Sequence, residues 1–144
     1  QLIENWLKHI FFTKRPPKSL DRNFFMNILN SIEFKALSIE DKISTLAQFT
    51  VDSIIRGFSM LPFPVKTTVI MGGGQHNDYI VSGLKKLIPN KVNTAKELEL
   101  PGDFIEAELM AFLAVRTLYN LPITFPETTG VIKPKTGGCI YRVL

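Results

Sequence analysis

Apolar residues recur at helical spacing at the start of the chain, at Leu2, Ile3, Trp6, Leu7 and Ile10, and predict an amphipathic helix that ends before Pro16-Pro17. Ser19 offers an N-cap for a second helix over 20–30, with Phe24, Phe25, Ile28 and Leu29 as its apolar side. A longer helix is expected from Ser38, because Ser38-Ile39-Glu40-Asp41 has the shape of a capping box with Asp in place of Glu. Its inner stripe reads Ile43, Leu46, Ala47, Val51, Ile54, Ile55 and Phe58, and Pro62 and Pro64 end it. The period then changes. The β-branched run Thr67-Thr68-Val69-Ile70-Met71 predicts a strand, Gly72-Gly73-Gly74 a turn, and 78–87 a helix. Pro89-Asn90 reads as a turn and 91–93 as a short strand. Gly102 and Asp103 open the last long helix, with Ile105, Leu109, Met110, Leu113, Ala114 and Leu118 on its buried side, ended by Asn120 and Pro122. From Leu121 onward the chain reads as an extended loop with a short strand at 139–143.

The junction of strand, three glycines and helix carries the first chemical signal. Three residues without a Cβ let a flat ligand lie against the backbone and tolerate positive φ, and the following helix brings free N–H groups to the same place. The bland alternative is a sharp turn or close helix-to-sheet packing. A Rossmann fingerprint fails, since Asn77 takes the third glycine position and no Asp or Glu follows Lys91-Val92-Asn93-Thr94 to hold a ribose. A P-loop fails too, because no Lys-Ser or Lys-Thr follows the glycines at its spacing. What remains is a mononucleotide or similar ligand held by backbone.

Bulk properties narrow this further. A chain of 144 residues that is 45% hydrophobic predicts one domain over 1–144, with a helical segment at 1–60 and the glycine turn, helices and extended tail at 61–144. The single cysteine, Cys139, forms no internal disulfide, so the cytoplasm is the expected compartment. Apolar runs are short and broken by charges, and the signal-peptide layout is absent, so no membrane partner is expected. Opening on Gln1 suggests part of a longer gene product. The net charge of +4 is spread among acidic residues; apart from Lys14-Arg15-Pro16-Pro17-Lys18 no basic stripe alternates with aromatics, which argues against nucleic acid.

Conventional catalytic sets are sparse. His9 and His76 are the only histidines, Cys139 is remote from both, and no His/Cys/Asp set has metal-ligand spacing. Asp103, Glu106 and Glu108 occupy the first turns of a predicted helix, where the dipole alone favours carboxylates. Glu106 also borders the stripe expected to face the core and could point into a cleft, although capping ranks above chemistry on these grounds.

A family resemblance changes that ranking. The run Val69-Ile70-Met71-Gly72-Gly73-Gly74-Gln75-His76-Asn77, then Glu97-Leu98, Pro101-Gly102-Asp103-Phe104-Ile105-Glu106-Ala107 and Leu113-Ala114-Val115-Arg116-Thr117-Leu118 resembles the C-terminal part of anhydro-N-acetylmuramic acid kinase. Leu121-Pro122, Phe125-Pro126-Glu127-Thr128-Thr129-Gly130 and, upstream, Pro16-Pro17-Lys18-Ser19 with Arg22 and Phe25 continue the pattern over nearly the whole chain.

The resemblance implies an enzyme of the acetate and sugar kinase, heat-shock ATPase and actin superfamily, with two ribonuclease H-like lobes closing on ATP and magnesium. It implies hydrolytic opening of the 1,6-anhydro bond and phosphorylation to N-acetylmuramic acid 6-phosphate in cell-wall recycling. On this basis Gly72, Gly73, Gly74 and Asn77 are the nucleotide residues and Glu106 the sugar contact. The family's N-terminal phosphate segment and the loop bearing its aspartate base have no counterpart here, so no catalytic residue is assigned and metal contacts are expected outside these residues. Asp21 stands where the family has Gly, Asn23 where it has Glu, and Arg142 where it has Pro. The expected fold is α/β, a helix-rich partial ribonuclease H-like lobe with few strands. Its exposed sheet edge would favour a homodimer or domain contacts. Two functions follow: the adenosine lobe of the kinase, or a non-catalytic remnant serving as a nucleotide-binding or interaction module.

Overall fold

A computed structural model describes residues 1–141, and helices dominate it. The chain begins with α1 (Leu2–Trp6), shorter than predicted: a 3-10 turn over Ile10–Phe12 interrupts it, and Ile10 is exposed rather than part of an apolar face. Ser19 caps nothing. Helix α2 (Asn23–Leu29) starts later, where Asp21 Oδ1 accepts from the Asn23 amide at 2.8 Å and so shapes the turn before the helix. Ser31 caps a short α3 (Ile32–Lys35) that the periodicity does not reveal.

Helix α4 (Ile39–Phe58) is the spine. Ser38 caps it as expected, its hydroxyl accepting from the Asp41 amide at 3.1 Å. The predicted inner stripe is only partly right: Ile43 and Ile54 are exposed, and the two buried residues are Phe49 and Val51. The reason is that α4 serves two cores. Phe49 joins an aromatic cluster with Trp6, Phe12, Ile28 and Phe34, with ring centroids 5.2 Å from Trp6 and 5.6 Å from Phe12 in edge-to-face contact. Arg56 ties the same helix to α1 by donating to the Leu7 carbonyl at 3.1 Å. Val51, on another side, packs with Leu84, Ile88 and Val92.

That second core belongs to a strand-helix-strand unit. Strand β1 (Thr67–Ile70) pairs in parallel with β2 (Lys91–Thr94), Thr67 opposite Lys91 and Ile70 opposite Thr94, and α5 (Asp78–Leu87) makes the crossover. Gly83 lets α5 approach α4 closely, for a Cβ there would sit 3.0 Å from a Val51 methyl. Two strands form the only sheet among the described residues, so each keeps one unpaired edge. The molecule is α/β and helix-rich, as expected.

Helix α6 (Ile105–Leu118) corrects a prediction. Its Leu109, Met110 and Leu118 are exposed, as are Phe112 and Val115, and no residue of the helix is buried. The apolar pattern is real, but no described segment covers it. Only its C-terminal end is packed: Arg116 lies over the Phe112 and Phe125 rings and donates to the Pro122 carbonyl, while the Thr117 hydroxyl donates to Gly137. The tail adds α7 (Pro126–Thr129), unforeseen from sequence, and a single antiparallel bridge between Thr124 and Lys135. Residues 139–141 form no strand, and the rest of the strand predicted at 139–143, with Arg142, lies outside the described residues. Among the described residues no helix is long and apolar enough to cross a membrane.

Candidate functional site

Strand β1 delivers the chain into the glycine turn at Gly72, whose φ of +69° and ψ of −168° suit glycine alone. Gly73 and Gly74 then enter a 3-10 turn over Gly73–His76. A Cβ built on either would meet no atom of the chain within 4 Å. Internal packing therefore does not require glycine at these two positions, and the turn offers a bare backbone face to solvent. Asn77 is the N-cap of α5: its side-chain oxygen accepts from the Ile80 amide at 3.1 Å, so that oxygen is already committed to the helix.

A second segment meets this turn. The Gly72 amide donates to the Gly102 carbonyl at 2.9 Å. Gln75, buried beneath the turn, donates from its amide nitrogen to Asp103 Oδ1 at 2.8 Å and accepts from the Lys96 amide at 3.2 Å. His76 Nε2 donates to the same Asp103 oxygen at 2.7 Å. The His76 hydrogen bond, followed by that from Gln75, holds the Asp103 carboxyl below its ordinary pKa against the opposing effect of desolvation. Gly102 is needed where it is, since a Cβ would fall 2.3 Å from Ala95 Cβ. Around this junction Gln75, His76, Lys96, Leu100, Pro101 and Asp103 border a concavity of about 190 Å³.

The end of β2 is secured separately. Glu97 accepts from Lys85 at 2.5 Å and from the Thr94 amide at 2.8 Å, while the Thr94 hydroxyl accepts from the Glu97 amide at 3.2 Å. The bond from Lys85, and then that from Thr94, lowers the Glu97 pKa. Thr94-Ala95-Lys96-Glu97 is thus a capping box, legible in its Thr-x-x-Glu spacing but not read from it.

Glu106 lies in the first turn of α6, four residues beyond the Gly102 that bonds the glycine turn. It is exposed, and its side chain makes no hydrogen bond or ion pair among the described residues. It borders an apolar concavity of about 370 Å³ with Ile105, Glu108, Leu109 and Phe112. Glu108 shares that concavity, so the structure does not separate the two carboxylates. Neither caps its helix, and nor does Asp103, which a dipole argument would have made a cap; its carboxylate turns to Gln75 and His76 instead. The structure therefore joins Gly72–Gly74 to the segment leading to Glu106. It adds Gln75, His76 and Asp103, which no pairwise spacing in the sequence connects.

In sequence the chain is similar to proteins named as kinases. A family profile described as anhydro-N-acetylmuramic acid kinase matches residues 1–143. Curated proteins of that name are 42% identical over 99% of the chain in Zymomonas mobilis, 43% over 94% in Methylobacterium nodulans and 41% over 97% in Rhodopseudomonas palustris. The chain belongs to the anhydro-N-acetylmuramic acid kinase family. It spans 38%, 35% and 37% of the length of those three relatives, little more than a third.

Proposed function

We propose that these residues form the adenosine-binding, C-terminal lobe of an ATP-dependent kinase that opens 1,6-anhydro-N-acetylmuramic acid and phosphorylates it to N-acetylmuramic acid 6-phosphate during cytoplasmic cell-wall recycling. One observation carries the reading: the open glycine turn is bonded, through Gly72 N–H and the Gly102 carbonyl, to the segment that begins the Glu106 helix. Adenine and ribose fit a backbone face free of Cβ atoms at Gly73 and Gly74, and the lobe is a partial ribonuclease H-like unit in this reading. Asn77 contributes by setting the start of α5 beside the nucleoside, and Glu106 by orienting a sugar hydroxyl.

ATP supplies the transferable phosphoryl group when bound. The residues here fit its nucleoside end. Magnesium in this reading is held by the phosphates and by residues of the rest of the family protein. Phosphoryl transfer requires metal, phosphate-cradling backbone and a base acting together. The isolated chain should therefore be inactive, the base lying in the remaining two thirds of the family protein. The unpaired strand edges favour contact with another domain or a second copy.

A second reading, a non-catalytic nucleotide-binding or interaction module, draws on the exposed apolar side of α6. A chimera separates the two. Residues 1–144 would replace the corresponding segment of the Zymomonas mobilis relative, and ADP release would be followed with anhydro-N-acetylmuramic acid. Turnover by the chimera, none by the isolated chain, and a fall of roughly 10²-fold on Glu106→Ala are expected. Glu33→Ala, in α3, should change little. A folded but inert chimera, or full activity without the Glu106 carboxylate, would refute the kinase reading.

A further inference from the structure

Asp103 is the meeting point of the two motifs that the proposed site needs. Its Oδ1 takes one hydrogen bond from Gln75 and one from His76, both on the 3-10 turn that follows Gly72, and it lies three residues before Glu106. The backbone bond from Gly72 to Gly102 runs beside these two side-chain bonds. Three hydrogen bonds thus cross between the glycine turn and the four residues leading into α6. Two of the three end on one carboxylate oxygen.

We infer that Asp103, gripped by Gln75 and His76, is a positioning residue that locks the Glu106 turn of α6 to the glycine turn, so that a nucleotide settling on Gly73 and Gly74 is felt at Glu106. This rests on the reading of those glycines and Glu106 as ligand contacts. The physical basis is over-determination. A single backbone bond at an exposed turn opens readily, whereas two charge-assisted bonds converging on one oxygen restrict the rotation of Asp103 and the path of the chain through Pro101-Gly102. The chain behind the clamp cannot yield easily either, because Gln75 is buried and its oxygen is tied to the Lys96 amide. Motion of the glycine turn is therefore passed to the start of α6 rather than absorbed between them.

Amide exchange and chemical shifts on the 144-residue chain test this. In Asp103→Ala without ligand, the Gly72 amide, which donates to Gly102, should exchange about tenfold faster while α4 amides are unchanged. Asp103→Asn keeps an accepting oxygen and should restore most of the protection; His76→Ala removes one donor and should fall between. An unchanged Gly72 amide in Asp103→Ala overturns the clamp. ADP is then titrated. In the wild-type chain the Gly73, Gly74 and Glu106 amides should shift together; in Asp103→Ala only the glycines should, with the Glu106 response returning in Asp103→Asn. A Glu106 response that survives Asp103→Ala overturns the coupling, since its selective loss, with the glycine response kept, is the change that a merely structural role for Asp103 would not produce. If ADP shifts none of the three amides, the nucleotide assignment fails, and the exchange measurement alone upholds or overturns the clamp.

Discussion

Gly102→Ala should be the most damaging single-methyl insertion in this protein. The added Cβ would lie 2.3 Å from Ala95 Cβ and 3.0 Å from the Gln75 amide nitrogen, whereas non-bonded carbons rest about 3.5–4.0 Å apart. More than about 1 Å of separation has to be opened. Ala95 cannot provide it cheaply: it is fully buried, its amide donates to Ile70 at 2.8 Å, and its carbonyl accepts from Leu98 and Leu100 at 3.1 and 2.9 Å. Gly102 is held in turn by the Gly72 amide. Overpacking costs about 1–3 kcal/mol, and because the clash joins two backbone-tethered residues the upper half of that range is expected. Urea unfolding followed by circular dichroism reads this as a lower midpoint at constant slope. Ala95→Gly removes the opposing methyl. Alone it should cost about 0.5–1 kcal/mol, but in the Gly102→Ala background it should restore stability, with a coupling above about 1 kcal/mol. A Gly102→Ala protein within about 0.5 kcal/mol of wild type, or strictly additive effects, would refute the packing described for this junction.

Other perturbations discriminate among the remaining contacts. Phe49→Ala should cost about 3–5 kcal/mol in urea unfolding and flatten the near-ultraviolet signal of Trp6, because its ring is central to the aromatic core; a loss under about 1 kcal/mol would argue against that packing. Gly72→Ala should cost about 1–3 kcal/mol through its positive φ, whereas Gly73→Ala should stay within about 0.5 kcal/mol, and equal effects would contradict the turn geometry. Asp103 and Glu97 have lowered folded pKa values, so their stabilising effect is complete above their ordinary values of 3.8 and 4.5 and is lost as pH falls through the lowered ones. Acid unfolding should accordingly become less steep below pH 4.5 in Glu97→Gln and Asp103→Asn, and superimposable acid profiles would count against both sets of bonds.

The elements legible in the sequence were those whose signals are local. Ser38 and the glycine-flanked run at 67–70 announce α4 and β1, and α5 occupies 78–87 as its periodicity indicates. Burial was harder to read. Phe49 escapes a one-stripe pattern because α4 has a core on two sides, and the apolar residues of α6 look like core residues although no described segment covers them. At the candidate site, Gly72–Gly74 stand out from the junction of strand, glycines and helix alone, whereas Glu106 rises above a capping role only through a resemblance spanning nearly the whole chain. The Gln75, His76 and Asp103 network is not legible in the sequence, for it joins residues 27 and 28 apart that meet where Gly102 packs on Ala95 and bonds Gly72.

The central claim, that the glycine turn receives the nucleoside, is tested most directly by titrating ADP calorimetrically into the wild-type chain and into Gly73→Val. Weak binding is expected in the wild type, because in the proposed reading the phosphate contacts that contribute most come from outside these residues. A Cβ at Gly73 meets nothing within 4 Å in the chain, so Gly73→Val should remain folded while its side chain covers the bare backbone and abolishes that binding. Equal affinity of the two proteins for ADP would contradict the assignment.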